Sequence, residues 1–264
     1  MQKVIVFMFK KFSFALFITL LCAIAAAAQE VEVNRYTVNA RVDTAASAVE
    51  VRATLDVSNL SQAPKAKLYF RLTKLAKLSS AAVNSAPAQF EAADDRRVTG
   101  LSQVIVTPQA SLSPGGKATV DISYRIEAPE STGLVTISPM EVLLMPDSVW
   151  VPSLVTGLSP TGSTAFSLTG AITAPFTLTV TNSSLRAASA GTSKGDAANQ
   201  TFEQPINSLP FFVASTFDQP VTIDHGGVKL EIYAQTGTAV SAFSIGQASP
   251  ERSPIPVLRS VAAQ

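Results

Sequence analysis

Two stretches near the start decide the fold: VEVNRYTVNARVD at 31–43 and AVEVRATLDVSN at 48–59. In the first, Val31, Val33, Tyr36, Val38, Ala40 and Val42 recur near period two, with one slip at Asn34-Arg35. In the second, Val49, Val51, Ala53, Leu55 and Val57 repeat the pattern. Side chains on a strand point alternately to its two faces, so alternation of this kind predicts strands with one buried face. The short Asp43–Ser47 connection predicts a hairpin between them. Similar runs follow at short intervals: KLYFRL, KLSSAAVNS, AQFEA, VTGLSQVIVTP and KATVDISYRIE, with turns at 85–87 and at Ser113-Pro114-Gly115-Gly116. No stretch before residue 128 carries helical periodicity. The expectation is an all-β, antiparallel domain of many short strands.

A second strand-like group begins near Gly133, with proline opening or closing many of its runs, as at strand starts and sheet edges. Ser189 to Gln200, small, polar and glycine-containing, reads as an exposed hairpin loop. No internal repeat is visible. From Thr236 the alternation decays, and Pro250, Pro254 and Pro256 forbid a continuous helix, so 236–264 reads as a loose tail.

The first 28 residues have their own grammar. Lys3, Lys10 and Lys11 precede an apolar run from Phe12 to Ala25, and Ala26-Ala27-Ala28 supplies the small residues of a cleavage site before Gln29. That reads as a signal peptide, with an uncleaved membrane anchor as the rival, since the run with the three alanines, about 17 residues, is at the lower limit of the ~17–25 residues a span needs. The expected destination is secreted or periplasmic, with anchoring as the alternative. Without residues 1–28 the chain carries 17 basic and 19 acidic residues and no cysteine, because Cys22 leaves too. Disulfides are then excluded, and stability must come from core burial. Charged residues make up 15% and hydrophobic residues 47% of the 264, a balance that argues against disorder, and a formal net charge of +1 gives no electrostatic basis for nucleic-acid binding.

The order of segments resembles the N-terminal β-domain of the M1 family of zinc aminopeptidases. The resemblance rests on Tyr36-x-Val38-x-Ala40-x-Val42-Asp43 and the strand after it, on Leu68-Tyr69-Phe70-Arg71-Leu72, and on Leu112-Ser113-Pro114-Gly115 leading to Val120-Asp121-Ile122-Ser123-Tyr124. It continues through Trp150-Val151-Pro152, Pro175 to Val180, Ala188 to Gly191 and LPFFVASTFD at 209–218. It covers roughly 33–234, and it implies a saddle-shaped, sandwich-like β-structure over 29–235 that in the family packs beside a thermolysin-like catalytic domain.

The family's catalytic motifs, His-Glu-x-x-His and Gly-x-Met-Glu-Asn, are absent here. Zinc hydrolysis of this type needs two imidazoles and a carboxylate, with one position left open for water. The chain has one histidine, His225. Within Asp224-His225-Gly226-Gly227 it reads as a solvated turn residue. No catalytic, cofactor-binding or metal-binding residue is therefore assigned, and no cofactor is expected.

The remaining candidates have bland readings. Ser113 to Lys117 ends like a phosphate loop but lacks its spacing and precedes a strand. Gly157 to Ser163 is not a nucleophile elbow, and Pro160 stands in its turn. Glu91, Asp94, Asp95, Arg96 and Arg97 read as a cation site or, equally well, a charged hairpin end. Asn59-Leu60-Ser61, Asn182-Ser183-Ser184 and Asn199-Gln200-Thr201 match the glycosylation acceptor pattern. Trp150 and Phe211-Phe212 read as core or interdomain anchors, with a ligand groove as the alternative.

The functional expectation is a secreted, non-catalytic domain that is either a truncated peptidase or a module binding peptide or protein through an exposed apolar face. The rival is an adhesion-type or envelope β-sandwich unrelated to peptidases, for which two closed sandwiches in tandem are expected.

Overall fold

The computed structural model describes residues 31–96, 98–154, 174–181, 183, 185–196, 198–208, 210–217, 221–225 and 228–232, the last two stretches by backbone alone. Residues 1–28, which read as a signal peptide, Gly157 to Ser163, Asn182 and residues 236–264, which read as a loose tail, lie outside the described residues. Along the chain run β1 (Val31–Asp43), β2 (Ala48–Asn59), β3 (Leu68–Thr73), β4 (Ala76–Val83), β5 (Ala86–Pro87), β6 (Gln89–Asp94), β7 (Leu101–Thr107) and β8 (Lys117–Glu127). After these come β9 (Val135–Ile137), β10 (Glu141–Leu144), a 3-10 turn (Pro146–Ser148) and β11 (Ser153–Leu154). The last strands are β12 (Ala174–Thr181), β13 (Arg186–Ala188), β14 (Thr192–Gly195), β15 (Asn199–Ser208), β16 (Phe212–Ser215), β17 (Val221–His225) and β18 (Val228–Ile232).

Three sheets carry the fold. The largest has eight strands in the order β14-β15-β12-β1-β2-β8-β4-β5, and two four-stranded sheets run β13-β16-β10-β9 and β11-β3-β7-β6. β17 and β18 pair with each other, His225 opposite Val228. The two strand groups read from the sequence are therefore not separate sandwiches, because β12 pairs with β1 and splices the second group onto the first. That pairing is parallel, Tyr36 opposite Phe176 through Arg41 opposite Thr181, so the purely antiparallel expectation is corrected at this junction.

Alternation does the sorting. On the large sheet Tyr36, Val38, Ala40 and Val42, then Val49, Val51, Ala53, Leu55 and Val57, and Val120, Ile122, Tyr124 and Ile126 are all buried. They join Leu68, Phe70, Leu72, Val104 and Val106 of the β3-β7 sheet in one core with Phe176, Leu178, Phe202 and Phe212. The slip at Asn34 is a β-bulge, because the register shifts between Val33 and Arg35. The extra residue keeps the apolar set on the core side across the interruption. The freed Asn34 Nδ2 donates to Ser58 Oγ at 2.7 Å. A second shift lies between Ala174 and Phe176, where Ala174 faces Ser208 and Phe176 faces Gln204. Both strands place a proline there, Pro175 and Pro205, where a missing N–H costs no regular ladder bond.

The stretch expected as an exposed hairpin loop at 189–200 is exposed and lies in a hairpin, but half of it is strand, in β14 and the start of β15. β14 and β15 form a hairpin whose loop is held by Asp196 Oδ1, which accepts from the N–H groups of Ala198 and Asn199, both at 2.9 Å. Gly191 makes this close approach possible: at φ 97° a Cβ there would lie 2.2 Å from the Glu203 carbonyl oxygen.

The outward face of the large sheet is polar. Arg41 pairs with Glu50 at 3.2 Å, Arg52 with Asp121 at 3.4 Å, Arg125 with Glu50 at 3.1 Å and with Glu127 at 3.2 Å, and Lys194 with Glu203 at 2.9 Å. β12 turns Thr177, Thr179 and Thr181 the same way, Thr177 accepting from Arg35 and Thr179 bonding Thr201. Such exposed pairs add little stability each. Their effect is a wetted face, and the large exposed apolar side chains of the second group, Leu134, Met140 and Ile206, sit on separate segments.

Candidate functional site

Trp150 stands at a junction that hydrogen bonds from several segments brace. The chain leaves β10 through Met145, makes the 3-10 turn, and passes Val149 at φ 53°, ψ 48°. This is the left-handed region, costly for any L-residue and more so for a β-branched one. Surrounding bonds hold it: Val149 N–H donates to the Pro146 carbonyl and Thr73 N–H to the Val149 carbonyl, both at 2.9 Å. Trp150 then donates its indole N–H to the Pro210 carbonyl at 3.0 Å, while its own carbonyl accepts from the Tyr124 hydroxyl at 2.7 Å. One residue thus ties β8 to the segment before β16. Trp150 is 1% exposed and Phe212 wholly buried, so both are core anchors; Phe211 is half-buried, its carbonyl accepting from Ser189 Oγ at 2.6 Å.

The charged stretch around β6 divides. The Asp95 carboxylate is taken by Arg71, Nε to Oδ2 at 2.6 Å, both side chains 6% exposed, and its other oxygen accepts from Val98 N–H at 3.3 Å. Asp95 is a buried turn brace, whereas Glu91 and Asp94 on β6 and Arg96 just beyond it are exposed. Arg97 lies outside the described residues. Among the described residues, no three His, Cys, Asp or Glu side chains gather.

Asn59, offered by its tripeptide as a sugar acceptor, is instead a fully buried bracket. Its Nδ2 donates to the carbonyls of Ala63 and Leu112 at 2.9 Å and of Ser113 at 3.0 Å. Its Oδ1 accepts from Ser61 N–H at 3.0 Å and Ser61 Oγ at 2.7 Å. The amide ties the end of β2 to the Ser113–Gly116 turn, where Gly116 N–H donates to the Ser113 carbonyl at 2.9 Å and the chain crosses from the β7 sheet to β8 of the large sheet; it is no phosphate loop. No nitrogen is left for modification in the folded chain, so the acceptor reading is corrected here. Asn199 at the head of β15 is exposed.

Two buried tyrosines differ in kind. Burial pushes both phenols up, Tyr124 well above its ordinary value and further through the nearby Tyr36. Tyr124 has its partner at Trp150. The Tyr36 hydroxyl, like those of Ser153 and Ser208, has no hydrogen-bond partner among the described residues. On the outer face, hydrogen bonds from Lys77 and Lys194 hold Glu127 and Glu203 below their ordinary values. These are surface ion pairs, and nothing couples them to a nucleophile. His225 closes β17 opposite Val228, which opens β18, so it ends a strand at the margin of the turn.

The sheets' margins carry their own polar contacts. β9 is blunted by Thr132, whose N–H donates to the Val135 carbonyl at 3.0 Å and whose Oγ1 accepts from Val135 N–H at 3.1 Å. On β13, Ala187 N–H donates to Gln200 Oε1 at 2.6 Å. β5 ends in Pro87, whose carbonyl accepts from Gln109 Nε2 at 3.2 Å. Sequence pattern does not announce these guards, because Gln200 and Gln109 reach the edges from other segments and Thr132 looks like an ordinary polar residue.

No family model matches the chain, and no curated protein does. Solved structures do. The M1 zinc metallopeptidase from Deinococcus radiodurans superposes with a TM-score of 0.54 at 18% identity, over 81% of this chain and 50% of that one. A two-domain M1 zinc metallopeptidase variant bound to L-tryptophan gives 0.52 at 18% identity, over 81% and 51%. Leukotriene A4 hydrolase from Saccharomyces cerevisiae gives 0.53 at 16% identity, over 78% and 32%. The chain spans about half the length of the first two and a third of the yeast enzyme. At these identities the likeness is one of fold. An all-strand architecture of this size fits the N-terminal β-domain to which the order of sequence segments points.

Proposed function

We propose that this chain is an exported, non-catalytic β-domain of the M1 metallopeptidase type, working by binding peptide or protein. One observation carries the reading. The fold is that of part of a zinc peptidase, while the residues of this chain do not supply the zinc ligands. It has one histidine, and its only cysteine, Cys22, falls in the segment removed on export. Zinc in hydrolytic sites is held by three protein ligands, mostly imidazole and carboxylate, with a fourth position open to water. Around the bracket at Trp150 and the pair at Arg71 and Asp95, polar groups are spent on holding the fold. What is left outward is salt-laced sheet and strand edge, surfaces suited to recognition. Residues 29–235 form the working domain on this reading, and export removes 1–28. Calorimetric titration of the metal-free chain with zinc tests it. No stoichiometric heat is expected; a one-to-one site of micromolar or tighter affinity on this chain alone contradicts the proposal.

A further inference from the structure

We propose that the outer edge of β6 is a strand-addition site for an extended basic peptide segment, a proposal that rests on the binding-domain reading above and gives it a place. β6 is the last strand of the β11-β3-β7-β6 sheet. Asp95 N–H donates to the Leu101 carbonyl, which fixes the ladder: Gln89, Glu91 and Ala93 bond toward β7, opposite Thr107, Ile105 and Gln103. Phe90, Ala92 and Asp94 then aim their N–H and C=O groups away from the sheet. β4 runs close at the start only, where Ala88 N–H donates to the Ala81 carbonyl. Beyond that, the outward groups of β6 have no partner among the described residues. The other edges of the three larger sheets are guarded or short. Thr132 covers β9, Gln200 covers β13, Pro87 ends β5, and β11 is two residues long. β14 is bounded by positive-φ glycines at 191 and 195 and carries Lys194. An unguarded edge among guarded ones is where a further strand fits.

The side chains choose the occupant. Ala92 and Ala93 are exposed and small, so an incoming backbone meets no bulk at the middle of the strand. Glu91 and Asp94 are exposed, and β6 carries no basic residue. A second copy pairing antiparallel about Ala92 would place each Glu91 opposite Ala93 and diagonal to the other Glu91 on the same face, with no basic residue of β6 to meet either. A basic residue beside Glu91 is favoured instead. Arg96, exposed just past the end of β6, offsets Asp94 and leaves Glu91 as the recognising charge.

The test uses the full chain and the probe acetyl-Val-Lys-Val-Lys-Val-amide, read by amide hydrogen exchange. The expected result is protection of the Ala92 and Asp94 amides. Ala92→Pro removes an outward N–H that no ladder bond uses, and it should weaken the probe about ten-fold or more. Glu91→Lys, a surface change, should weaken this probe and strengthen acetyl-Val-Glu-Val-Glu-Val-amide. Undiminished binding by Ala92→Pro overturns the proposal. So does protection confined to other amides, although the binding-domain reading would stand. A dimer that Ala92→Pro dissolves would give the edge to a second copy and overturn the basic occupant. Absence of any protection overturns the site and leaves the zinc titration to judge the domain's function.

Discussion

Replacing Asn59 with aspartate should turn a stable junction into a pH-dependent one. The change is nearly isosteric. It exchanges two N–H donors for an oxygen that faces the carbonyls of Ala63, Leu112 and Ser113. When protonated, the introduced carboxyl offers one donor, so at pH 3 the loss is about one buried hydrogen bond, ~1–3 kcal/mol. When ionised, it is a buried carboxylate among carbonyl oxygens, and its folded-state pKa rises above the unfolded ~3.9. Stability relative to wild type therefore falls as pH rises from about 4 through the raised folded-state value. A rise of about two to three units adds ~3–4 kcal/mol of destabilisation at pH 7. Urea unfolding of wild type, N59D and N59A at pH 3 and pH 7 reads this directly. N59A should lose stability similarly at both pH values. An N59D penalty within about 0.5 kcal/mol of the same size at both pH values refutes the buried-bracket reasoning.

At Val149, glycine should be more stable than alanine by about 1–2 kcal/mol, because both lose the buried side chain and only glycine escapes the left-handed penalty; equal midpoints in urea count against the strained turn. Tyr36→Phe should be neutral or stabilising by up to ~1 kcal/mol, since it removes an unpartnered buried hydroxyl, while Tyr124→Phe should cost ~1–2 kcal/mol by freeing the Trp150 carbonyl; reversal of that order in thermal unfolding contradicts the pairing. Lys77→Met should raise the titration midpoint of Glu127, seen by carboxyl-carbon NMR. Glu127 is held below its ordinary value in the fold, by Lys77 first and by Arg125 as well, so its contribution is present above the unfolded pKa and lost as pH falls through the folded one, and the variant should keep only the part of that acid dependence that Arg125 supplies.

The strands were legible because period-two alternation survives even a one-residue slip, and Asn34 shows why: the bulge absorbs the slip and keeps Tyr36 and Val38 facing the core. Sheet order was not legible. Nothing local to Tyr36 announces that its parallel neighbour is Phe176, 140 positions on. The stretch at 189–200 was legible as an exposed hairpin but not in its strand content, because small polar residues suit both a loop and a short exposed edge strand. Asn59 misled because a three-residue acceptor pattern carries no information about burial. Trp150 was read as an anchor from its type alone, whereas the strain at Val149 needed dihedral angles. The edges were hidden for the same reason, since Thr132 and Gln200 look like ordinary polar residues until the margins they cover are in place.

The central proposal, a fold like the M1 N-terminal β-domain without peptidase chemistry in this chain, is tested most directly by incubating the purified protein with aminoacyl chromogenic substrates and added zinc. The account predicts a rate equal to that of buffer and zinc alone. Turnover that follows the protein through purification and disappears with a chelator would contradict it.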